Sequence, residues 1–151
     1  MSAGLPSPAV AYFPAMPAPA AAPLAGLNVL VVDDNRDART IFTMVLRQAG
    51  AVVTSANSAS AATRRLRHLH PDVIITDLSM PRHDGLWLLQ WIRTRDAAKN
   101  RYTPVMAVTA HDDRYDTGDL RFDSCLVKPV PWNELLRGIL AVTAREISAS
   151  A

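Results

Sequence analysis

The sequence predicts an α/β domain: a doubly wound, five-stranded parallel sheet with helices on both faces. Three observations carry this. Strand-like and helix-like segments alternate five times from Leu27 onward, as strands joined by helical crossovers require. The strand-like runs Val29-Leu30-Val31-Val32 and Val73-Ile74-Ile75 are apolar without a break, as in strands buried on both faces. The intervening segments repeat apolar residues at helical spacing.

The first strand is NVLVVDD. Ala38, Ile41, Phe42, Val45, Leu46 and Ala49 then form one stripe of a helix, which Gly50 stops. AVVTSA is the second strand. Ser58 caps a second helix with Ala59, Ala62, Leu66 and Leu69 inward, ended by Pro71. DVIITD is the third strand, and the loop LSMPRHDG leads into the helix LWLLQWIR. Pro104 opens the fourth strand, VMAVTA. The stretch HDDRYDTGDLRFDS contains Gly118 and several acids, poor helix material, so the fourth helix is expected to be short or irregular. CLVKP is a short fifth strand. Pro131 suits the first turn of a last helix carrying Leu135, Leu136, Ile139 and Leu140.

Residues 1–25 are rich in Ala and Pro and are expected to form a disordered leader, with the domain spanning 26–148 and a frayed tail at 149–151. The chain is 49% hydrophobic and 20% charged, a globular balance, and its net charge of +2 points only weakly to nucleic acid. A single cysteine, Cys125, excludes an internal disulfide and fits a reducing compartment. No apolar run reaches the roughly 20 residues that span a bilayer, and the leader has no basic start of a signal peptide. A cytoplasmic protein with no membrane or nucleic-acid partner is expected.

The residues at the strand ends point to chemistry. In an open parallel sheet, ligands bind at the carboxyl ends of the strands. There the first strand ends in Asp33 and Asp34, the third in Asp77, the fourth in Thr109 and the fifth in Lys128. Three converging carboxylates repel unless a cation sits among them, and Mg²⁺ suits a few carboxylates plus a phosphate oxygen. Lys128 and Thr109 supply a charge and a donor for a phosphoryl group, and Asp77 can act as the nucleophile that forms an acyl phosphate. Alone, the Asp33–Asp34 pair would serve equally as a helix N-cap.

The segments VLVVDDN, DVIITDLSMPRHDG, PVMAVTA and LVKPV, in this order and spacing, resemble the receiver domain of two-component response regulators and hybrid histidine kinases over about Leu27 to Ser148. The resemblance implies a flavodoxin-like fold and a signalling phosphoacceptor with self-catalysed transfer and dephosphorylation. It implies Asp77 as the phosphoacceptor and Asp34 as a direct Mg²⁺ ligand. Asp33 would act largely through water, and the main-chain carbonyl of Ser79 would complete the ligand set. Thr109 would be the switch hydroxyl, Lys128 the partner of the phosphate, and the Lys128–Pro129 bond cis. Met80, Pro81, Asp84 and Gly85 match the loop after the phosphoacceptor. The implied partners are a histidine kinase or histidine phosphotransfer protein and an unidentified downstream protein. No DNA-binding output domain is expected, and the chain reads as a stand-alone receiver or one excised from a hybrid kinase.

Two features depart from the family pattern. Cys125 stands where an aromatic side chain usually switches, and the stretch from Thr109 to Lys128 is short by about one helical turn. Cys125 is expected to be a small buried residue, and His111, near the site's mouth, a surface residue, with tuning of acyl-phosphate hydrolysis as its lesser reading. His68, His70 and His83 read as surface residues, Arg64, Arg65 and Arg67 as a solvated helix face, and Trp87 and Trp91 as packing residues. An aspartyl-phosphate phosphatase of the dehalogenase type is the alternative. It needs a second acid two residues after the nucleophile, where this chain has Ser79. A dinucleotide-binding domain fails for want of a glycine-rich turn after the first strand.

Overall fold

A computed structural model describes residues 22–110 and 120–150, with the side chains of 145–150 left out. The five parallel strands are present as expected, and helices follow the first, second, third and fifth among the described residues. Strand β1 (Asn28–Val32) precedes helix α1 (Arg36–Gln48), β2 (Val52–Ala56) precedes α2 (Ala59–Leu66), and β3 (Val73–Asp77) precedes α3 (Gly85–Ala98). Strands β4 (Val105–Thr109) and β5 (Ser124–Val127) follow, and α4 (Trp132–Ser150) closes the chain. The sheet order is β2-β1-β3-β4-β5, and every neighbouring pair is parallel.

The strand period of two divides the core. Val29, Val31, Val73, Ile75, Met106 and Val108 face α1 and α4, where they meet Phe42, Leu46, Leu135 and Ile139. Leu30, Val32, Ile74 and Val105 face α2 and α3, against Ala62, Leu66, Leu88 and Ile92. The rings of Phe42 and Trp132 meet edge to face at 5.7 Å and join α1 to α4. Each crossover returns the chain to the amino end of the next strand, so all five strands end on one edge.

Local chemistry sets the helix boundaries. The side chains of Asn35, Ser58 and Asp84 cap α1, α2 and α3 by accepting from the N–H groups of Ala38, Ala61 and Trp87. The α1 cap is therefore Asn35, which leaves both adjacent aspartates available for other contacts. Gly50 ends α1 with a φ of +101°. Helix α2 stops at Leu66, before Pro71, and Ile41 and Leu140 lie outside their predicted stripes, at 40% exposure each.

Three expectations need correction. Residues Ala22 to Ala25, inside the predicted leader, pack against the end of α1. Leu24 is fully buried, and its N–H donates to the Ala49 carbonyl at 2.9 Å. A Cβ on Gly50 would lie 2.9 Å from the Cβ of Ala22, so glycine lets this turn press against the end of α1. One apolar side chain decides the docking, and the Ala/Pro composition around it hides that. At the other end, α4 continues to Ser150, past the expected limit at 148. Cys125 is exposed, because β5 is an edge strand whose alternate residues, Cys125 and Val127, point away from α4. Residues 1–21, His111 and most of the expected fourth helix lie outside the described residues.

Candidate functional site at the carboxyl edge

The carboxyl edge of the sheet gathers the acids read from the sequence. One carboxylate oxygen from each of Asp33, Asp34 and Asp77 lies within 4.8 Å of the other two. Asp33 is 2% exposed, Asp77 is half-buried and Asp34 is exposed. The set thus grades from the core to solvent across the end of β1 and β3.

Lys128 reaches into this cluster from the end of β5. Its Nζ donates to Asp33 Oδ2 at 2.9 Å and to Asp77 Oδ2 at 3.5 Å. Its own N–H donates to the Thr109 carbonyl at 2.7 Å, which ties the lysine to the end of β4. Thr109 is buried beside it in the sheet, in register with Val127. The Lys128–Pro129 bond is cis.

The backbone around each acid is held separately. Asp33 Oδ1 accepts from the Asn35 N–H at 2.9 Å. The Arg39 guanidinium, one turn into α1, donates to the carbonyls of Asp33 at 2.8 Å and Asp34 at 3.3 Å. The Thr76 hydroxyl donates to the Asp77 carbonyl, and the Ser79 N–H donates to Asp77 Oδ1 at 3.2 Å. Gly85 N–H donates to the Leu78 carbonyl at 2.9 Å. A Cβ at Gly85 would fall 2.4 Å from the Asp77 carbonyl oxygen, so only glycine permits this approach. Met80 is buried and anchors the loop, and Arg82 crosses it with a φ of 69°.

The electrostatics follow from crowding. Burial pushes the Asp77 carboxyl above its ordinary value; Lys128 opposes this, the Asp33 charge adds to it, and the rise prevails. Burial also works against the Lys128 ammonium, but the hydrogen bond and charge of Asp33, followed by Asp77, outweigh it and hold that group above its ordinary value. Among the described residues, one ammonium therefore pairs with two of the three clustered carboxylates. Such a site favours a further cation, and a hard divalent ion takes oxygen ligands of this number while keeping waters. The donor set fits Mg²⁺.

The structure brings together Asp33, Asp34, Asp77 and Lys128, with Thr109, Ser79 and Pro129 on the adjoining strand ends and loop. Cys125 lies on the exposed face of β5. Arg39 was not read from the sequence, since nothing there separates it from Arg36 in the same turn. Its position four residues after the Asn35 cap is the only signal.

Comparison with known proteins identifies the family. The response regulator receiver domain family matches residues 29–140. An uncharacterized 14.6 kDa protein of Leptolyngbya boryana is 36% identical over 117 residues, which cover 76% of this chain and 88% of that protein. Protein PilG of Pseudomonas aeruginosa is 33% identical over 119 residues, or 77% of this chain and 87% of its own. Among solved structures, the Vibrio cholerae chemotaxis response regulator CheY4 superposes with a TM-score of 0.69 at 28% identity, covering 79% of this chain and 98% of that one. The receiver domain of a Pseudomonas aeruginosa sensor histidine kinase, with a magnesium ion coordinated in its active-site cleft, superposes with a TM-score of 0.70 at 27% identity, covering 80% and 99%.

Proposed function

This chain belongs to the response regulator receiver domain family, and from that membership we propose that Asp77 accepts a phosphoryl group from a partner's phosphohistidine in a Mg²⁺-dependent reaction. The observation that carries the proposal is the position of the Asp77 carboxylate, half-buried at a strand end, 3.5 Å from the Lys128 ammonium and clustered with Asp33 and Asp34. A carboxylate oxygen of Asp77 attacks phosphorus, the P–N bond breaks, and the imidazole leaves with its electron pair and takes up a proton. The product is an acyl phosphate on Asp77.

The residues divide the work. Asp34 and Asp77, with Asp33 through water and the Ser79 carbonyl, would hold Mg²⁺. When bound, this ion neutralises charge on the transferring oxygens. Lys128 is drawn to the site by Asp33 and pairs with a phosphoryl oxygen once one arrives. Thr109 offers its hydroxyl to the same group. Arg39 and Gly85 fix the main chain that presents the acids. The same groups would support slow hydrolysis of the acyl phosphate.

The donor is a histidine kinase or a histidine phosphotransfer protein, and phosphorylation changes the affinity of this domain for a downstream protein. Among the described residues no helix is long and apolar enough to cross a membrane. The test uses acetyl phosphate and Mg²⁺. The protein gains one acid-stable, base-labile phosphate, and chelation of the metal prevents it. Asp77→Asn abolishes it. Labelling of that variant at the wild-type level would place the acceptor elsewhere.

A further inference from the structure

The opposite edge of the molecule carries a second concentration of charge, of the other sign. In the doubly wound fold the helices run back against the strands, so α2 and α3 both end at the amino edge of the sheet. The chain from Asn57 to Pro71 contains no acid, and Arg64, Arg65 and Arg67 stand exposed at the end of α2. Arg95, Lys99 and Arg101 follow at the end of α3. The exposed ring of His70, on the chain leaving α2, meets the second group. Its Nδ1 contacts the Arg101 guanidinium and lies 3.5 Å from Arg95 Nη2. Among the described residues no carboxylate forms an ion pair with any of these six cations. Asp96, the nearest acid in sequence, is buried and turns Oδ2 to the Thr103 N–H.

Helix carboxyl ends attract cations, and that accounts for one or two basic residues per helix. It does not account for three basic groups on one imidazole. Arg101 first, then burial, Arg95 and Lys99, hold His70 below its ordinary pKa. Like charges so gathered attract anionic groups from outside.

Two shallow depressions flank the basic ridge. One, of about 560 Å³, lies between β2 and α2, with Ala61 and Leu69 beside Arg64 and Arg65. The other, of about 480 Å³, lies along α3, lined by Trp87, Trp91, Arg95 and Ala98. Both pair an apolar wall with a cation. The tryptophan faces are already taken. His83 stacks on Trp87 at 3.9 Å, Arg95 lies 5.7 Å over Trp91, and both rings rest on the core cluster beneath. A nucleic-acid base therefore finds no open ring to stack on.

We propose that the α2–α3 face, centred on Arg64, Arg95, Arg101 and His70, docks an acidic segment of a partner protein whose apolar side chains enter the two depressions. Carboxylates of that segment pair with the guanidinium groups, and its apolar residues cover the walls. The cations of this face lie at the end of the sheet opposite Asp77, where α2 and α3 end.

The test titrates the full chain with a synthetic peptide of alternating glutamate and leucine, read by tryptophan fluorescence and by calorimetry. Saturable binding that weakens with added salt is expected. The double variant Arg64→Glu, Arg101→Glu should bind roughly tenfold or more weakly, and Arg137→Glu on α4 should bind normally. The milder Arg64→Gln, Arg101→Gln variant should weaken binding in the same direction if charge reversal disturbs the fold. Labelling of both double variants by acetyl phosphate should stay normal. No saturable binding, or equal binding by wild type and both double variants, would overturn the proposal. So would tighter binding to single-stranded oligothymidylate or to phosphatidylglycerol vesicles than to the peptide.

Discussion

At the amino end of the sheet, Arg93, Tyr102 and Asp123 form a closed network; at the carboxyl end, Lys128 stands between Asp33 and Asp77 and closes nothing. Asp123 Oδ2 accepts from Arg93 at 2.9 Å and from the Val105 N–H at 2.8 Å, and Oδ1 accepts from the Tyr102 hydroxyl. Arg93 also donates to the Thr103 carbonyl and lies 4.3 Å over the Tyr102 ring. One acid meets one cation, and every strong donor has an acceptor. The carboxyl end uses the same residue types in another ratio, three carboxylates to one ammonium. Charged residues near a strand end are thus not a site in themselves. A balanced set stitches loops together, and an unbalanced set retains affinity for something from outside.

The largest expected effect separates the two ends by activity. Lys128→Gln should slow labelling by acetyl phosphate by roughly 100-fold or more, because the ammonium paired with Asp33 and Asp77 is gone. Arg93→Gln removes an equally well-paired cation and should leave labelling near normal. A comparable loss in both variants would show that the amino-end network also shapes the reacting groups.

The next effect concerns stability, and its sign should differ between the ends. Asp123→Ala leaves the Val105 N–H and a half-buried guanidinium without their acceptor and should cost about 2–3 kcal/mol in denaturant unfolding. Asp77→Asn should instead stabilise the metal-free protein, by about 1 kcal/mol, by removing a half-buried charge and its crowding with Asp33. The pH dependence follows from the raised Asp77 value. A carboxyl whose folded value lies above its ordinary 3.8 favours folding in its protonated form, so that contribution is complete below 3.8 and is lost as pH rises through the folded value. The advantage of Asp77→Asn should therefore shrink as the pH falls through the folded value toward 3.8, and be gone below 3.8. A constant gap across that range would remove the charge-crowding account.

The smallest effect lies at high pH. Burial first, and then the hydrogen bond to Asp123, push the Tyr102 phenol from 10.0 up to about 12. Its folded value is raised, so the network's contribution is whole below 10.0 and is lost as pH climbs toward 12. Ultraviolet titration of phenolate should show one late-ionising tyrosine that disappears in Tyr102→Phe. Uniform ionisation near 10.0 would mean the network is looser than its distances imply.

These two ends were unequally legible in the sequence. Asp33, Asp77 and Lys128 could be read because each directly ends an apolar run, and strand ends in a parallel sheet share an edge. The five strands were equally plain, since continuous apolar runs between turn residues leave few other assignments. Asp123 was hidden in an irregular acidic stretch, and its partners lie 21 and 30 residues away on other elements. The Leu24 turn was masked by proline and alanine around it. The exposure of Cys125 depends on β5 being an edge strand, a property of sheet order that local pattern does not contain. The basic ridge was visible as residues, but not as one surface, until α2 and α3 were placed side by side.

The central claim is that the unbalanced cluster makes Asp77, and no other carboxylate, the phosphoryl acceptor. Borohydride reduces an acyl phosphate to an alcohol, which converts a phosphorylated aspartate to homoserine and marks its position permanently. The protein should be treated with acetyl phosphate and Mg²⁺, reduced, digested and mapped by mass spectrometry. Homoserine at position 77 alone, dependent on Mg²⁺ and on Lys128, is the predicted result. Homoserine at 33 or 34, or an unmodified residue 77 in protein that carries phosphate, would contradict it.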